Sequence, residues 1–320
     1  MRDVPIQRQV FIGGCSRSGT TLLGAMLGAH SACATSPESH FKMRILPELG
    51  GLHPDIDLSA ALELIRKHWR FRIWEMDVSD QAVPAELLKS DYATLLNWLV
   101  ARYAATQGDA DATIWVDHTP ENISYARSLV ELFPQARIIH LVRDGRAVAS
   151  SIMPLDWGPN TMMKAAPYWL AALSHGLAAE RYLRPEQIIR VTYEDLVCYP
   201  EETLKTLCEF LEIDYQPAMA SAGGFKPPDY TVSQHQLIGQ APNAARATKW
   251  ERDLSPRQIE IFESLTRDFL HYLDYPLKYG LAAREPGPAE TLWTELREFY
   301  RLGINGLRWL LRSYRLWLRR

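Results

Sequence analysis

Apolar and polar positions follow two rhythms along this chain. Short, nearly continuous apolar runs fall at residues 10–12, 113–116, 136–142 and 188–191, as expected of strands buried on both faces. Between and after them, apolar residues recur at helical spacing. This predicts helices over residues 20–29, 58–74, 85–106, 121–133, 147–153, 161–182 and 201–211. Leu87, Leu88, Leu95, Leu96, Leu99 and Tyr103 share one helical face. Residues 34–41 read as a short strand or loop, and 192–196 as a loop. Residues 214–247, with Pro217, Pro227, Pro228 and Pro242, are irregular, and a loop of that length is usually functional or mobile. Ser255-Pro256 then starts a helix carrying Ile259, Ile261, Phe262, Leu265, Phe269 and Leu270. Strands alternating with helices predict an α/β fold with a central parallel sheet flanked by helices.

A break at residues 280–288 sets off a last helix, 289–318. Leu307, Leu310, Leu311, Tyr314, Trp317 and Leu318 share one of its faces, and Arg308, Arg312, Arg315 and Arg319 the other. Such a helix suits packing on its own domain or a partner subunit, and also a membrane surface. The expected organisation is one domain over residues 1–279 and a basic amphipathic extension over 280–320.

Composition narrows the class. The 320 residues are 47% hydrophobic and 23% charged, ordinary for a soluble globular protein. A net charge of -3 argues against a general nucleic-acid binder. Cys15, Cys33, Cys198 and Cys208 lack metal-site spacing, so no metal is expected. Residues 1–9 are too short and polar for a signal peptide, and no apolar run reaches the ~20 residues a bilayer requires. The sequence therefore reads as cytoplasmic, with peripheral membrane contact and homo-oligomerisation left open.

The chemistry gathers first at Gly14-Cys-Ser-Arg-Ser-Gly-Thr-Thr21, between the first strand and first helix. Its spacing is that of a nucleotide phosphate loop, G-x-x-x-x-G-K-[ST], with Thr20 in the lysine position and the cation moved to Arg17. Glycine turn and helix N-terminus form a cradle of N–H groups for an anion. The missing lysine, and Arg143 rather than an acid at the end of the 138–142 strand, argue against a magnesium-dependent nucleotide hydrolase. Arg17, Arg143 and Lys249 supply cations to a metal-free anion site.

Four separated motifs resemble the sulfotransferases that use 3′-phosphoadenosine 5′-phosphosulfate (PAPS), in the branch with bacterial and tyrosylprotein enzymes. Arg17-Ser-Gly-Thr-Thr-Leu22 resembles their 5′-phosphosulfate loop. The segment 138–151 resembles their 3′-phosphate motif, with Arg143 and Ser151 as ligands. Thr192-Tyr-Glu-Asp-Leu196 is similar to the adenine-side segment, and Thr248-Lys-Trp250 to the motif that closes over the nucleotide. The resemblance runs from residue 10 to about 275. It implies a P-loop-like fold, PAPS as co-substrate, and nucleotide contacts from Arg17, Ser18, Gly19, Thr20, Thr21, Leu22, Arg143, Ser151, Tyr193, Lys249 and Trp250. Tyr193 and Trp250 equally suit the core.

Transfer to an acceptor hydroxyl needs a base. Glu38, in Ser36-Pro-Glu-Ser-His40, stands where the tyrosylprotein branch carries its catalytic Glu, and burial is expected to raise its pKa. His40 is the reserve. His118 replaces a Lys common in relatives, and acts either as a cation or as a neutral acid–base group. The catalytic set is thus Glu38, Arg17 and His118. Acceptor contacts are expected from segments 42–106, 153–168 and 225–247, which carry Trp69, Trp74, Trp157 and Tyr168. The acceptor's class (tyrosine, sugar, lipid head group or small molecule) stays open. So do two rivals: an ATP-dependent kinase on the same scaffold, and a non-catalytic, membrane-associated nucleotide binder.

Overall fold

A computed structural model describes residues 6–79, 81–226 and 239–318, and the side chains to residue 306. Pro227 and Pro228, and the two predicted faces at 307–319, lie outside the described residues. In chain order the elements are β1 (Arg8–Gly13), α1 (Thr20–Leu27), β2 (Cys33–Ser36), α2 (Phe41–Arg44), α3 (Leu58–Lys67), α4 (Trp69–Arg72), α5 (Tyr92–Gln107), β3 (Ile114–Asp117), α6 (Ala126–Leu132), β4 (Arg137–Val142), α7 (Gly145–Ile152), α8 (Met162–Tyr182), β5 (Ile188–Thr192), α9 (Tyr193–Cys198), α10 (Pro200–Leu211), α11 (Trp250–Asp253), α12 (Pro256–Tyr272) and α13 (Pro288–Leu318). The chain divides into two compact units, residues 1–142 with 175–244, and residues 143–174 with 245–320.

The first unit holds a five-stranded sheet in the order β2-β3-β1-β4-β5. Every pairing is parallel, as the apolar strand runs predict. Phe11 in β1 pairs with Asp117 of β3 and Ile138 of β4, and Asp117 pairs with Ser36 of β2. The turns after β1, β2 and β3 therefore leave from the same edge of the sheet, beside the strand where the order reverses. That is where open α/β sheets bind ligands. Under the sheet, Phe11 meets Trp115 at 5.4 Å and Phe133 at 5.6 Å between ring centres. A second aromatic cluster joins Phe41 to Phe71 (5.2 Å) and Trp74 (5.4 Å), and Trp74 to Tyr103 (5.1 Å).

Local capping redraws several predicted boundaries. The expected 58–74 helix is two pieces because His68 is extended (φ -70°, ψ 123°) and its ring accepts the Arg70 N–H. The 85–106 helix begins only at Tyr92, where the Asp91 carboxylate accepts the Thr94 N–H at 2.7 Å. The expected 121–133 helix opens as a tighter 3-10 turn, Pro120–Tyr125. Residues 192–196, expected as loop, contribute to α9, because Thr192 caps it by accepting from the Asp195 N–H.

In the second unit, Arg146 of α7 is fully buried. It bonds Asp144 at 2.7 Å and Glu263 of α12 at 2.6 Å, and its guanidinium lies 4.1 Å from the Trp250 ring centre. Ser255 and Gln258 form a reciprocal capping box at the start of α12. Helix α13 is held by Arg257–Glu290 (2.7 Å), Lys164–Glu295 (2.6 Å) and Glu298, which accepts from the Thr161 hydroxyl at 2.7 Å. A cavity of about 590 Å³ lies among Met153, Met162, Met163, Ile261 and Trp293.

Candidate functional site

The glycine turn sits between β1 and α1 as its spacing predicts. Gly19 has φ 100°, a left-handed conformation that favours glycine, and a Cβ there would meet the Tyr193 ring at 2.5 Å. Tyr193, buried at the start of α9, therefore packs directly on the turn. Arg17 is also left-handed, at φ 74°. Helix α1 opens at Gly19 with no side-chain cap and no acid in its first turn among the described residues. Its leading N–H groups, with their partial positive charge, are thus left for an anion. The Ser18 hydroxyl is buried with no hydrogen-bond partner among the described residues. An orphaned hydroxyl and an uncapped helix start, with Arg17 next to Ser18 in the sequence, fit a phosphosulfate.

Glu38 follows β2 on the same edge of the sheet. Its carboxylate bonds His40 Nε2 at 3.1 Å and pairs with Arg70 Nη1 at 3.1 Å. Burial pushes its pKa up, but the His40 hydrogen bond and the Arg70 charge outweigh that and bring it down to about 2. The upward shift expected from burial is therefore reversed by the His40 hydrogen bond and the charge of Arg70, which is distant in sequence. His40 bridges two carboxylates, with Nδ1 3.0 Å from Glu121. Burial lowers its pKa, but the bonds to Glu121 and Glu38 raise it further, for a net upward shift. Arg44 clamps Glu121 in turn, and Glu121 is held near 2 despite burial.

His118, at the exit of β3, is buried, and neither ring nitrogen has a hydrogen-bond partner among the described residues. Burial lowers its pKa against the attraction of Glu38 and Asp117. Helix α1 passes so close that a Cβ on Gly24 would lie 2.9 Å from the His118 Cβ. The Phe225 ring meets the imidazole edge-on at 4.9 Å. Arg17, Tyr193, Glu38 and His118 thus all belong to the first unit.

A buried pair that the sequence did not single out fixes this region. Lys42 and Asp117 form an ion pair at 2.8 Å, with both side chains buried. Lys42 also donates to Asn122 Oδ1 (2.6 Å) and Ser39 Oγ (3.1 Å). Asp117 accepts from the Thr119 N–H (2.8 Å), the Thr119 hydroxyl (2.6 Å) and the Ser39 hydroxyl. Burial works against its charge, but the Lys42 cation and these donors hold it well below the usual carboxylate range. The Ser39 N–H donates to Thr119 Oγ1 at 2.9 Å, so the Glu38 loop is fastened to the exit of β3.

The second unit carries Arg143, Ser151, Lys249 and Trp250. Arg143 precedes α7 and its carbonyl accepts from Trp169 Nε1 at 3.1 Å. Ser151 lies near the end of α7. Lys249 is exposed and paired with Asp253. Trp250 is buried, packed between Arg146 and Lys278, whose ammonium lies 5.2 Å from its ring centre.

Residues 9–217 match the sequence model of a family described as the sulfotransferase family. Among curated proteins, the chain is 25% identical over 257 residues to a protein-tyrosine sulfotransferase of Drosophila melanogaster, covering 78% of this chain and 44% of that protein. It is 27% identical over 236 residues to protein-tyrosine sulfotransferase A of Caenorhabditis elegans, covering 72% and 53%. The chain thus spans about half the length of these relatives. Among solved structures, the sulfotransferase domain of the Synechococcus PCC 7002 olefin synthase superposes with a TM-score of 0.60 at 25% identity, covering 85% of this chain and 96% of that one. The sulfotransferase domain of the curacin biosynthetic pathway shares the fold, with a TM-score of 0.56 at 22% identity, covering 84% and 98%. With its parallel sheet, P-loop-like turn and matched motifs, this chain belongs to the sulfotransferase family.

Proposed function

We propose that this protein transfers the sulfuryl group of PAPS to an acceptor hydroxyl, leaving adenosine 3′,5′-bisphosphate. The reading rests on one observation above all: an uncapped, cation-bearing phosphate turn shares a unit and a sheet edge with Glu38, held by His40 and Arg70, and with the buried His118 ring, which has no hydrogen-bond partner among the described residues. Arg17, Ser18, Gly19, Thr20, Thr21 and Leu22 hold the 5′-phosphosulfate. Arg143 and Ser151 hold the 3′-phosphate, Lys249 adds a cation, and Tyr193 and Trp250 contribute on the adenine side. No metal takes part in the step, since the guanidinium and backbone amides stabilise the departing phosphate.

In the transfer, the acceptor oxygen bonds to sulfur as the bond from sulfur to the bridging oxygen breaks, and the acceptor's proton passes to Glu38. A base held near 2 suits this step if the transition state is loose, as in phosphoryl transfer, because the proton then leaves late. His40 and Arg70 keep Glu38 ionised and aimed. Neutral His118 donates an N–H to the developing charge, where relatives commonly carry a Lys. The names of the sequence relatives make a tyrosyl hydroxyl the first acceptor to assay.

Calorimetry with adenosine 3′,5′-bisphosphate, on the parent protein and Arg17→Ala, tests the reading. Micromolar binding, lost in the variant, is expected. Absence of binding by the parent, or equal binding by both, overturns it. Turnover abolished by chelation would favour the kinase reading.

A further inference from the structure

Helix α13 turns its apolar side away from its own unit. Thr294, Glu298, Arg301 and Asn305 recur at helical spacing and face inward. Thr294 donates to Met163, Glu298 accepts from the Asn160 N–H at 2.8 Å, Arg301 reaches the Pro154 carbonyl, and Asn305 reaches Asn160. On the opposite side Leu292, Leu296, Phe299 and Tyr300 form one stripe, exposed by 63%, 62%, 79% and 67%. Trp293 and Leu302 flank it, also exposed. This inverts the usual amphipathic helix, whose apolar stripe faces the core.

Charge identifies the occupant. The carboxylates of α13 are already engaged: Glu290 with Arg257, Glu295 with Lys164, Glu298 with Asn160 and Thr161. Past Glu298 the sequence has no carboxylate, and its charged residues are Arg301, Arg308, Arg312, Arg315, Arg319 and Arg320. A second copy laid α13 against α13 would bring another arginine-only segment, or the acids that Arg257, Lys164, Asn160 and Thr161 already engage. A nucleic acid would match the charge but leave the apolar stripe in water. An anionic lipid surface satisfies both: acyl chains take Leu and Phe, interfacial Trp and Tyr suit the headgroup level, and the arginine-only charge of the sequence past Glu298 attracts acidic lipids. No helix among the described residues is long and apolar enough to cross a membrane. We infer that α13 lies in the plane of an anionic lipid surface, its Leu292–Tyr300 stripe inserted and its unit carried on the polar side.

The test is co-sedimentation of the full chain with phosphatidylcholine vesicles, with and without about one-third phosphatidylserine. Parent, Leu296→Glu/Phe299→Glu and Leu296→Met/Phe299→Leu are compared, with melting curves to confirm folding. The expected result is at least about tenfold stronger binding to the anionic vesicles, weakened by salt. The Glu variant should lose that binding and the conservative variant keep it. The inference is overturned by absence of binding, by undiminished binding of the Glu variant, or by indifference to phosphatidylserine. It is also overturned if sedimentation equilibrium shows a dimer that the Glu variant abolishes while vesicles capture nothing, which would make the stripe a self-association face.

Discussion

Replacing Lys42 with Met should destabilise the protein and reverse how its stability responds to acid. In the parent, Asp117 has a folded pKa below its unfolded value. Its contribution is therefore present above the unfolded pKa and is lost as pH falls through the folded one. Met fills the lysine stem but leaves Asp117 as a buried charge without its cation. Removing one partner of a buried pair costs about 3–5 kcal/mol. The Thr119 and Ser39 donors remain on Asp117, so the lower end of that range applies. About 3 kcal/mol corresponds to a melting shift of roughly 6–12 °C or less in a chain of this size. Without Lys42, burial raises the Asp117 pKa above its unfolded value, so the variant gains stability as pH falls from 7 towards 5. Lys42→Met/Asp117→Asn should recover much of the loss and flatten the pH response. Thermal melts by near-ultraviolet circular dichroism at pH 5, 6 and 7 provide the assay. A Lys42→Met protein melting within about 2 °C of the parent at pH 7, a shift too small for a broken buried pair, or one that weakens further on acidification, refutes the reasoning.

Other perturbations probe the site itself. Glu38→Gln should lower kcat by about 10²–10⁴-fold, while binding of adenosine 3′,5′-bisphosphate stays unchanged; a variant with parental kcat removes Glu38 as base. Arg70→Ala removes a cation that holds Glu38 near 2. Since burial then pushes the carboxyl up, the acid limb of kcat/KM should move to higher pH by at least about one unit, and an unmoved limb would show that Glu38 does not govern it. Gly19→Ala puts a methyl group into the Tyr193 ring at a left-handed position, so nucleotide affinity should fall by more than about tenfold while the protein still melts cooperatively. Arg17→Ala should lower kcat/KM by about 10²–10³-fold, the cost of losing one donor to developing charge.

The sheet was legible because its strands are short apolar runs, and a residue buried on both faces leaves little choice of type. The phosphate turn was legible because its glycines and hydroxyls answer local demands at fixed offsets. Helix starts were less so: Asp91 and His68 set boundaries through single hydrogen bonds within a continuous apolar pattern. The Thr192-x-x-Asp195 cap did carry a recognisable signal in a segment read as loop. The protonation state of Glu38 was beyond reach, because Arg70 lies far from it in sequence and any Arg looks alike there. Lys42 and Asp117 were invisible for the same reason. Nothing near either residue announces a buried partner 75 positions away, and only the β2–β3 pairing brings them together.

Buried bonds bolt the Glu38 loop to the exit of β3, so its backbone is set from within the fold. Chemistry and recognition are then separable cargoes of one scaffold. On the proposed reading, substitutions remote from residues 36–44 and 117–122 alter the choice of acceptor more readily than the transfer step.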